Sequence, residues 1–322
     1  VAQKNFLMMF CTVLIFWGLA IQDAAGLAKS PRHHHAGKKH RHCRAVVSRF
    51  NNSPQNLVLR SQSALVEDQQ TGESLFQKNA TAVVPIASIT KLMTAMVTLD
   101  AQMDLNEKII IEREDIDSIR HSRSRLQIGT SLTRQDALLL ALMASENRAA
   151  HALSRTYPGG QYSFVNAMNS KARTLGLLET RFSDPTGLSC GNISSAHDLA
   201  KLVNAAYNYP LIRECTTREE ATIQSGRRTL AFHNTNPLVR NSRWQIGLSK
   251  TGFLDEAGRC LVMQARLAKR PVLIVLLDAQ GKLTRFGDAN RIKQWMERSG
   301  ASRRMTKLTQ SPKKAEIFPY VI

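Results

Sequence analysis

Apolar residues recur along this 322-residue chain in two rhythms, one helical and one strand-like. Between positions 85 and 101, "PIASITKLMTAMVTLDA" places Ile89, Leu92, Met93, Met96 and Val97 on one face at helical spacing, which predicts a buried helix. "TRQDALLLALMASENRAAHALSRTY" is a second apolar run, with Thr133 placed to cap it, and "SAHDLAKLVNAAY" is a further amphipathic helix. Strand-like runs flank this region. "SALVEDQQTGESLFQKN" reads as a hairpin around Thr71-Gly72. Near the other end, "WQIGLSKTGF", "GRCLVMQARLA" and "PVLIVLLDA" are three strands. Their connections, "LDEAG" and Lys269-Arg270-Pro271, are too short for a parallel crossover, so they predict an antiparallel meander. A last helix, "DANRIKQWME", follows. Strands at both ends with a mainly helical stretch from about 106 to 240 between them predict an α+β fold. In it, helices flank a central antiparallel sheet and a helical subdomain is inserted.

The two ends of the chain read differently. Lys4, an apolar run from Phe6 to Ile21 and then "AAGLA" have the layout of a secretory signal peptide, 1–28, processed after Gly26 or, by preference, Ala28. Export implies an oxidising, periplasmic setting. Cys43, Cys190, Cys215 and Cys260 then allow three complete pairings that the sequence does not choose among, and Cys260, inside a strand, is as readily a buried thiol. Residues 29–56 read as a basic linker and 301–322 as a basic tail around a body at 57–300.

The net charge of +19 changes meaning once it is mapped. Residues 29–49 hold seven Lys or Arg and no acid, and 301–322 hold five against one Glu, so the tails carry more than half of it. Such tails bind polyanions without specificity. In an exported protein those would be anionic envelope polymers, not nucleic acid. His33, His34, His35, His40 and His42 beside Cys43 match no structural zinc spacing, so no metal is expected there.

The candidate chemistry begins at the predicted helix head. Ser88 and Lys91 are three apart, so they share a face, and the first turn offers unpaired N–H groups and the positive dipole end. A serine hydroxyl needs a base to become a good nucleophile, and a lysine serves only when held partly neutral. Ser-x-x-Lys alone is weak, since Ser311 and Lys314 in the basic tail repeat it. Two further stretches add weight. Ser145-Glu146-Asn147 ends a helical run and contains the only Ser-x-Asn in the chain. Lys250-Thr251-Gly252 ends a strand, a tripeptide that arises by chance in roughly one such chain in fifteen.

The three motifs run in the order helix head, loop of the helical region, late strand. In that order and setting, and with "DPTGLS" and "KTGFLDEAGRCLVM", the chain resembles the serine DD-peptidases of low molecular mass, which recognise penicillin. The likeness spans about 57 to 298. It implies the β-lactamase/DD-peptidase-like fold and hydrolysis through an acyl-enzyme without metal or organic cofactor. Ser88 would be the nucleophile and Lys91 its base. Ser145 would relay a proton to the leaving amine, helped by a cationic Lys250. Asn147, Lys250, Thr251 and Gly252 would bind substrate, Gly252 by leaving room for it, and the N–H groups of Ser88 and Phe253 would form the oxyanion hole. Cationic or polar neighbours would keep Lys91 neutral. Glu146 would be a solvent-facing spacer, while His197 and His233 would be structural or exposed.

The implied substrate is peptidoglycan, with β-lactams as acylating inhibitors, and the overall likeness favours D-alanyl-D-alanine endopeptidase over carboxypeptidase activity. Rapid β-lactam turnover is not expected, because the chain has no Glu-x-x-x-Asn segment. The reading from another class is a non-catalytic envelope-binding protein that adheres through its tails.

Overall fold

The computed structural model describes residues 51–52, 57–225 and 228–309. The expected signal peptide, nearly all of the linker with Cys43 and its histidines, and residues 310–322 lie outside the described residues.

The meander is present, and the N-terminal hairpin completes it. A six-stranded antiparallel sheet runs in the order β1 (Asn51–Asn52), β3 (Ser74–Lys78), β2 (Ser63–Asp68), β12 (Arg270–Ala279), β11 (Gly258–Leu267), β10 (Ile246–Leu254). Side chains alternate between its faces, as strand geometry requires. Val272, Ile274 and Leu276 of β12 join Leu261 and Met263 of β11 on one face, covered by α7 (Thr284–Thr309) through Phe286, Ile292 and Met296. Leu273, Val275 and Leu277, with Cys260 and Val262, face the other way. The central strand is buried on both sides, which is why "PVLIVLLDA" reads as a continuous apolar run and not as an alternation. The last helix is longer than its sequence suggests and continues to Thr309.

The second face is covered by α5 (Ala196–Tyr207), whose Ser195 N-cap accepts from the Asp198 N–H, and at β10 by α6 (Pro210–Thr217). Against these helices stand α1 (Lys91–Asp100) and α2 (Arg134–Met143), with α3 (Asn147–Arg155) and α4 (Gly160–Thr174) beyond. Thr133 caps α2 as expected, in a capping box with Asp136. The helical run ends just before Ser145, as expected, and α3 begins at Asn147.

Strand pairs that the mainly helical reading omitted lie in the inserted region and at its border. β4 (Val84–Pro85) pairs with β7 (Ile193–Ser194), and β5 (Lys108–Ile110) with β6 (Ser131–Thr133). β8 (Glu220–Ser225) pairs with β9 (Arg228–His233); Ala221 and Ile223 alternate with exposed neighbours over only six residues, too few to outweigh the helices around them. Cys215 and Cys260 are buried free thiols, and burial pushes each up to about 12. Among the described residues no helix is long and apolar enough to cross a membrane.

Candidate active site

The edge strand β10 meets the head of α1, and a cleft of about 510 Å³ opens where they touch. Ser88 sits in a 3-10 turn, Ala87–Thr90, that leads directly into α1, so Lys91 is the first residue of the α-helix. Ala87 holds a left-handed φ of 48°, a conformation uncommon for a residue with a Cβ. The Thr90 hydroxyl donates to the Ala87 carbonyl at 2.8 Å and braces the turn.

The Lys91 side chain is fully buried, and its Nζ lies 3.0 Å from Ser88 Oγ, 2.7 Å from Asn147 Oδ1 and 2.6 Å from the Thr186 carbonyl. The protonated amine donates to all three. Asn147 Oδ1 and the Thr186 carbonyl only accept, whereas a hydroxyl can also donate. When the amine loses a proton, its two remaining N–H groups stay matched to those two oxygens. The lone pair then faces Ser88, as a general base requires. Burial pushes the Lys91 ammonium down to about 8, against the pull of the Asp184, Glu146 and Asp117 carboxylates. The cationic or polar neighbours expected to keep Lys91 neutral are not what does so. Desolvation lowers the amine, and the named charges around it oppose the shift.

Ser145 follows the C-cap of α2 with a φ of 59°. The left-handed turn ends the helix, and the Glu146 N–H donates back to the Leu140 carbonyl at 3.1 Å. Ser145 Oγ accepts from Lys250 Nζ at 2.9 Å, and the same amine donates to the Thr251 carbonyl at 2.9 Å. Lys250 is buried, and desolvation, then Lys91 and Arg285, hold it well below the usual lysine range. The cationic Lys250 expected from the sequence is therefore disfavoured by its own surroundings. A carboxylate bound beside it would push the other way.

Glu146 is buried and is the N-cap of α3, accepting from the Arg148 N–H at 3.4 Å, so it is not the solvent-facing spacer expected. An acid at a helix N-terminus is stabilised by the unpaired N–H groups there. His233 is exposed beside Glu220, as expected, and His197 is half-buried.

Gly252 also departs from expectation. A Cβ there would stand 2.9 Å from the Ile86 carbonyl oxygen and 3.2 Å from the Ser88 nitrogen. Its missing side chain admits the 3-10 turn of this same chain, so the backbones of Gly252 and Ser88 adjoin. Phe253, next along β10, is half-exposed and lines the cleft with its ring under Arg259. Gly187 does the same from the opposite side: at a φ of +83°, a Cβ would come within 2.1 Å of the Ala87 carbonyl oxygen.

Several residues in and around the cleft were given no role by the sequence, although "DPTGLS" (184–189) contributed to the resemblance. The Asp184 carboxylate accepts from the N–H groups of Thr186, Gly187 and Ser189, folding the loop that presents the Thr186 carbonyl to Lys91. Ser122 Oγ accepts from Asn147 Nδ2 at 2.9 Å and so turns Oδ1 toward Lys91. Thr251 donates to the Thr235 hydroxyl at 2.7 Å. Arg285, at the head of α7, is buried and lines the cleft with Nε and Nη1 unpartnered.

A buried amine aimed at a serine, with a second lysine–serine pair across the cleft, is the apparatus of acyl transfer, and known proteins carry the same combination. The model of the peptidase S11 family, described as D-alanyl-D-alanine carboxypeptidase, matches residues 50–281. The chain belongs to this family. It is a serine hydrolase.

Among its relatives, the D-alanyl-D-alanine endopeptidase of Pseudomonas aeruginosa is 50% identical over 246 residues, covering 76% of this chain and 79% of that one. The D-alanyl-D-alanine endopeptidase of Escherichia coli is 48% identical over 239 residues, covering 74% and 77%. The crystal structure of the Streptomyces K15 DD-transpeptidase superposes with a TM-score of 0.69 at 27% identity, covering 76% of this chain and 98% of that one. The fold is that of the β-lactamase and penicillin-binding proteins, as the resemblance implied.

Proposed function

We propose that this chain is a D-alanyl-D-alanine endopeptidase that opens peptide cross-links of peptidoglycan. The reading rests first on Lys91, whose buried amine stands 3.0 Å from Ser88 Oγ with its pKa near 8. Ser88 Oγ attacks the carbonyl carbon of a D-alanine residue while its proton passes to Lys91 Nζ. The oxyanion that forms lies between the N–H groups of Ser88 and Phe253, at the close approach that Gly252 permits. The C–N bond breaks, and the leaving nitrogen takes a proton through Ser145, which Lys250 contacts. Water then hydrolyses the ester and frees Ser88. Asn147 holds Lys91 and reaches the substrate backbone, which lies along β10 as an added strand. Lys250, Thr251 and Arg285, whose Nε and Nη1 have no hydrogen-bond partner, receive the substrate carboxylate.

A β-lactam enters by the same attack, and its acyl group is released slowly. The enzyme works in the periplasm after removal of its leader, and its basic tails contact anionic envelope polymers. Two relatives named as endopeptidases at 48% and 50% identity support the choice of leaving group. The description of the family model supports a second reading, release of free D-alanine from uncross-linked stems. Digestion of purified cross-linked muropeptides separates them. Loss of dimers is expected, and release of D-alanine from monomers with dimers intact would overturn the endopeptidase reading.

A further inference from the structure

A second groove, of about 590 Å³, opens at the other end of the strand that carries Lys250-Thr251-Gly252. Its walls hold six amide side chains, Gln69, Gln70, Asn204, Asn208, Gln245 and Gln264, and no carboxylate lines it. Three of the amides form a chain: Gln264 Nε2 donates to Gln69 Oε1 at 2.9 Å, and Gln69 Nε2 donates to Asn204 Oδ1 at 3.1 Å. Each link uses one N–H and one oxygen and leaves further donors and acceptors available, since an amide offers two of each. Tyr207 adds an aromatic ring, half-buried and braced from behind by the Arg213 guanidinium 5.1 Å from its centroid.

The floor is made by a bulge in β10. Register shifts between Ile246 and Leu248, so Gly247 and Leu248 both turn toward the α5 face. A Cβ on Gly247 would meet Gln264 Oε1 at 2.2 Å and the Tyr207 ring at 2.7 Å, so only glycine lets these two side chains line the groove together. Gln264 follows Cys260 and Val262 at two-residue steps, so the groove lies on the same sheet face as the cleft. From Gly247 to Thr251 the strand advances about 13 Å.

Uncharged amides that both donate and accept match hydroxyl and acetamido groups, which also do both, and an aromatic face suits the C–H face of a sugar ring. A phosphate or carboxylate ligand would instead call for several cations, and among the lining residues only Arg266 is charged. We propose that the Gln69–Asn204–Tyr207 groove is a glycan subsite that holds an N-acetylated sugar chain while an attached peptide reaches Ser88 along β10. This rests on the reading of peptidoglycan as the substrate.

The test is calorimetric titration of the full-length protein with a tetramer of β-1,4-linked N-acetylglucosamine, which carries no peptide, before and after acylation with benzylpenicillin. Saturable binding that survives acylation is expected, with a cellulose tetramer binding more weakly. The double variant Gln69→Ala/Asn204→Ala should lose about tenfold or more in affinity, as loss of two hydrogen bonds implies, while still reacting with labelled penicillin. If the double variant fails to fold, the exposed Gln70→Ala carries the test, with about a threefold loss expected. No saturable binding, binding indifferent to these variants, or binding abolished by acylation would each overturn the subsite. Failure here leaves penicillin acylation of Ser88 untouched, so it is distinct from failure of the proposed peptidase function.

Discussion

The two faces of the central sheet solve different problems. Under α7 the sheet is covered by side chains such as Leu261, Ile274, Leu276 and Phe286, all buried and all apolar. The opposite face begins the same way, with Val262 and Val275, but toward the edge it buries Lys91 and Lys250 beside Ser145 and Asn147. Apolar burial stabilises by roughly 25 cal/mol per Å² removed from water, whereas a buried amine is driven toward its neutral form. For Lys91, moving from 10.5 to about 8 corresponds to about 3 kcal/mol of lost stability at neutral pH. One face holds the fold together, and the other carries a cost that brings the neutral, proton-accepting form of an amine within reach near pH 8.

Variants on the catalytic face give the largest effects on chemistry. Ser88→Ala is expected to abolish covalent capture of labelled benzylpenicillin with no loss of thermal stability. Any residual covalent label would show that another nucleophile operates. Lys91→Met removes the base and the buried charge together. Its acylation rate should fall by about 10³-fold, within the range for general bases, while stability in urea rises by about 1–3 kcal/mol. A variant that lost activity and stability together would show that Lys91 is not a strained charge.

Leu276→Ala on the α7 face should do the reverse. It is expected to lose about 2–5 kcal/mol, yet its folded fraction should acylate at close to the parent rate. A matching fall in acylation would mean that the two faces are mechanically coupled. The smallest effect is a slope. The folded pKa of Lys91 lies below its unfolded value, so between pH 8 and 10.5 the unfolded chain binds more protons and stability should rise with pH. Urea titrations of the parent and of Lys91→Met, across that window, isolate the contribution.

Much of this contrast was legible in the sequence, because strands and motifs are local patterns. The meander β10–β11–β12 announced itself through short connections, and Ser88, Lys91, Ser145, Asn147 and Lys250 through spacing and order. What stayed hidden depends on long-range approach. "DPTGLS" marked the likeness, but nothing in it says that the Thr186 carbonyl accepts from Lys91 or that the Asp184 carboxylate folds that loop through the Thr186 N–H and hydroxyl. Arg285 stands beside the core residue Phe286 at the start of a helix, and nothing local says that its guanidinium ends in the cleft. Gly252 carried a signal with the wrong cause: the space it leaves is filled by the Ser88 turn. Glu146 reads as a surface acid until the break after α2 makes it a buried cap.

The most direct measurement is the second-order rate of benzylpenicillin acylation from pH 6 to 10, followed by intact mass and peptide mapping. The mass increment should fall on Ser88, and the rate should rise with pH to a plateau whose midpoint lies near 8, as Lys91 becomes neutral. A rate unchanged across that range, or a label on any other residue, would contradict the account.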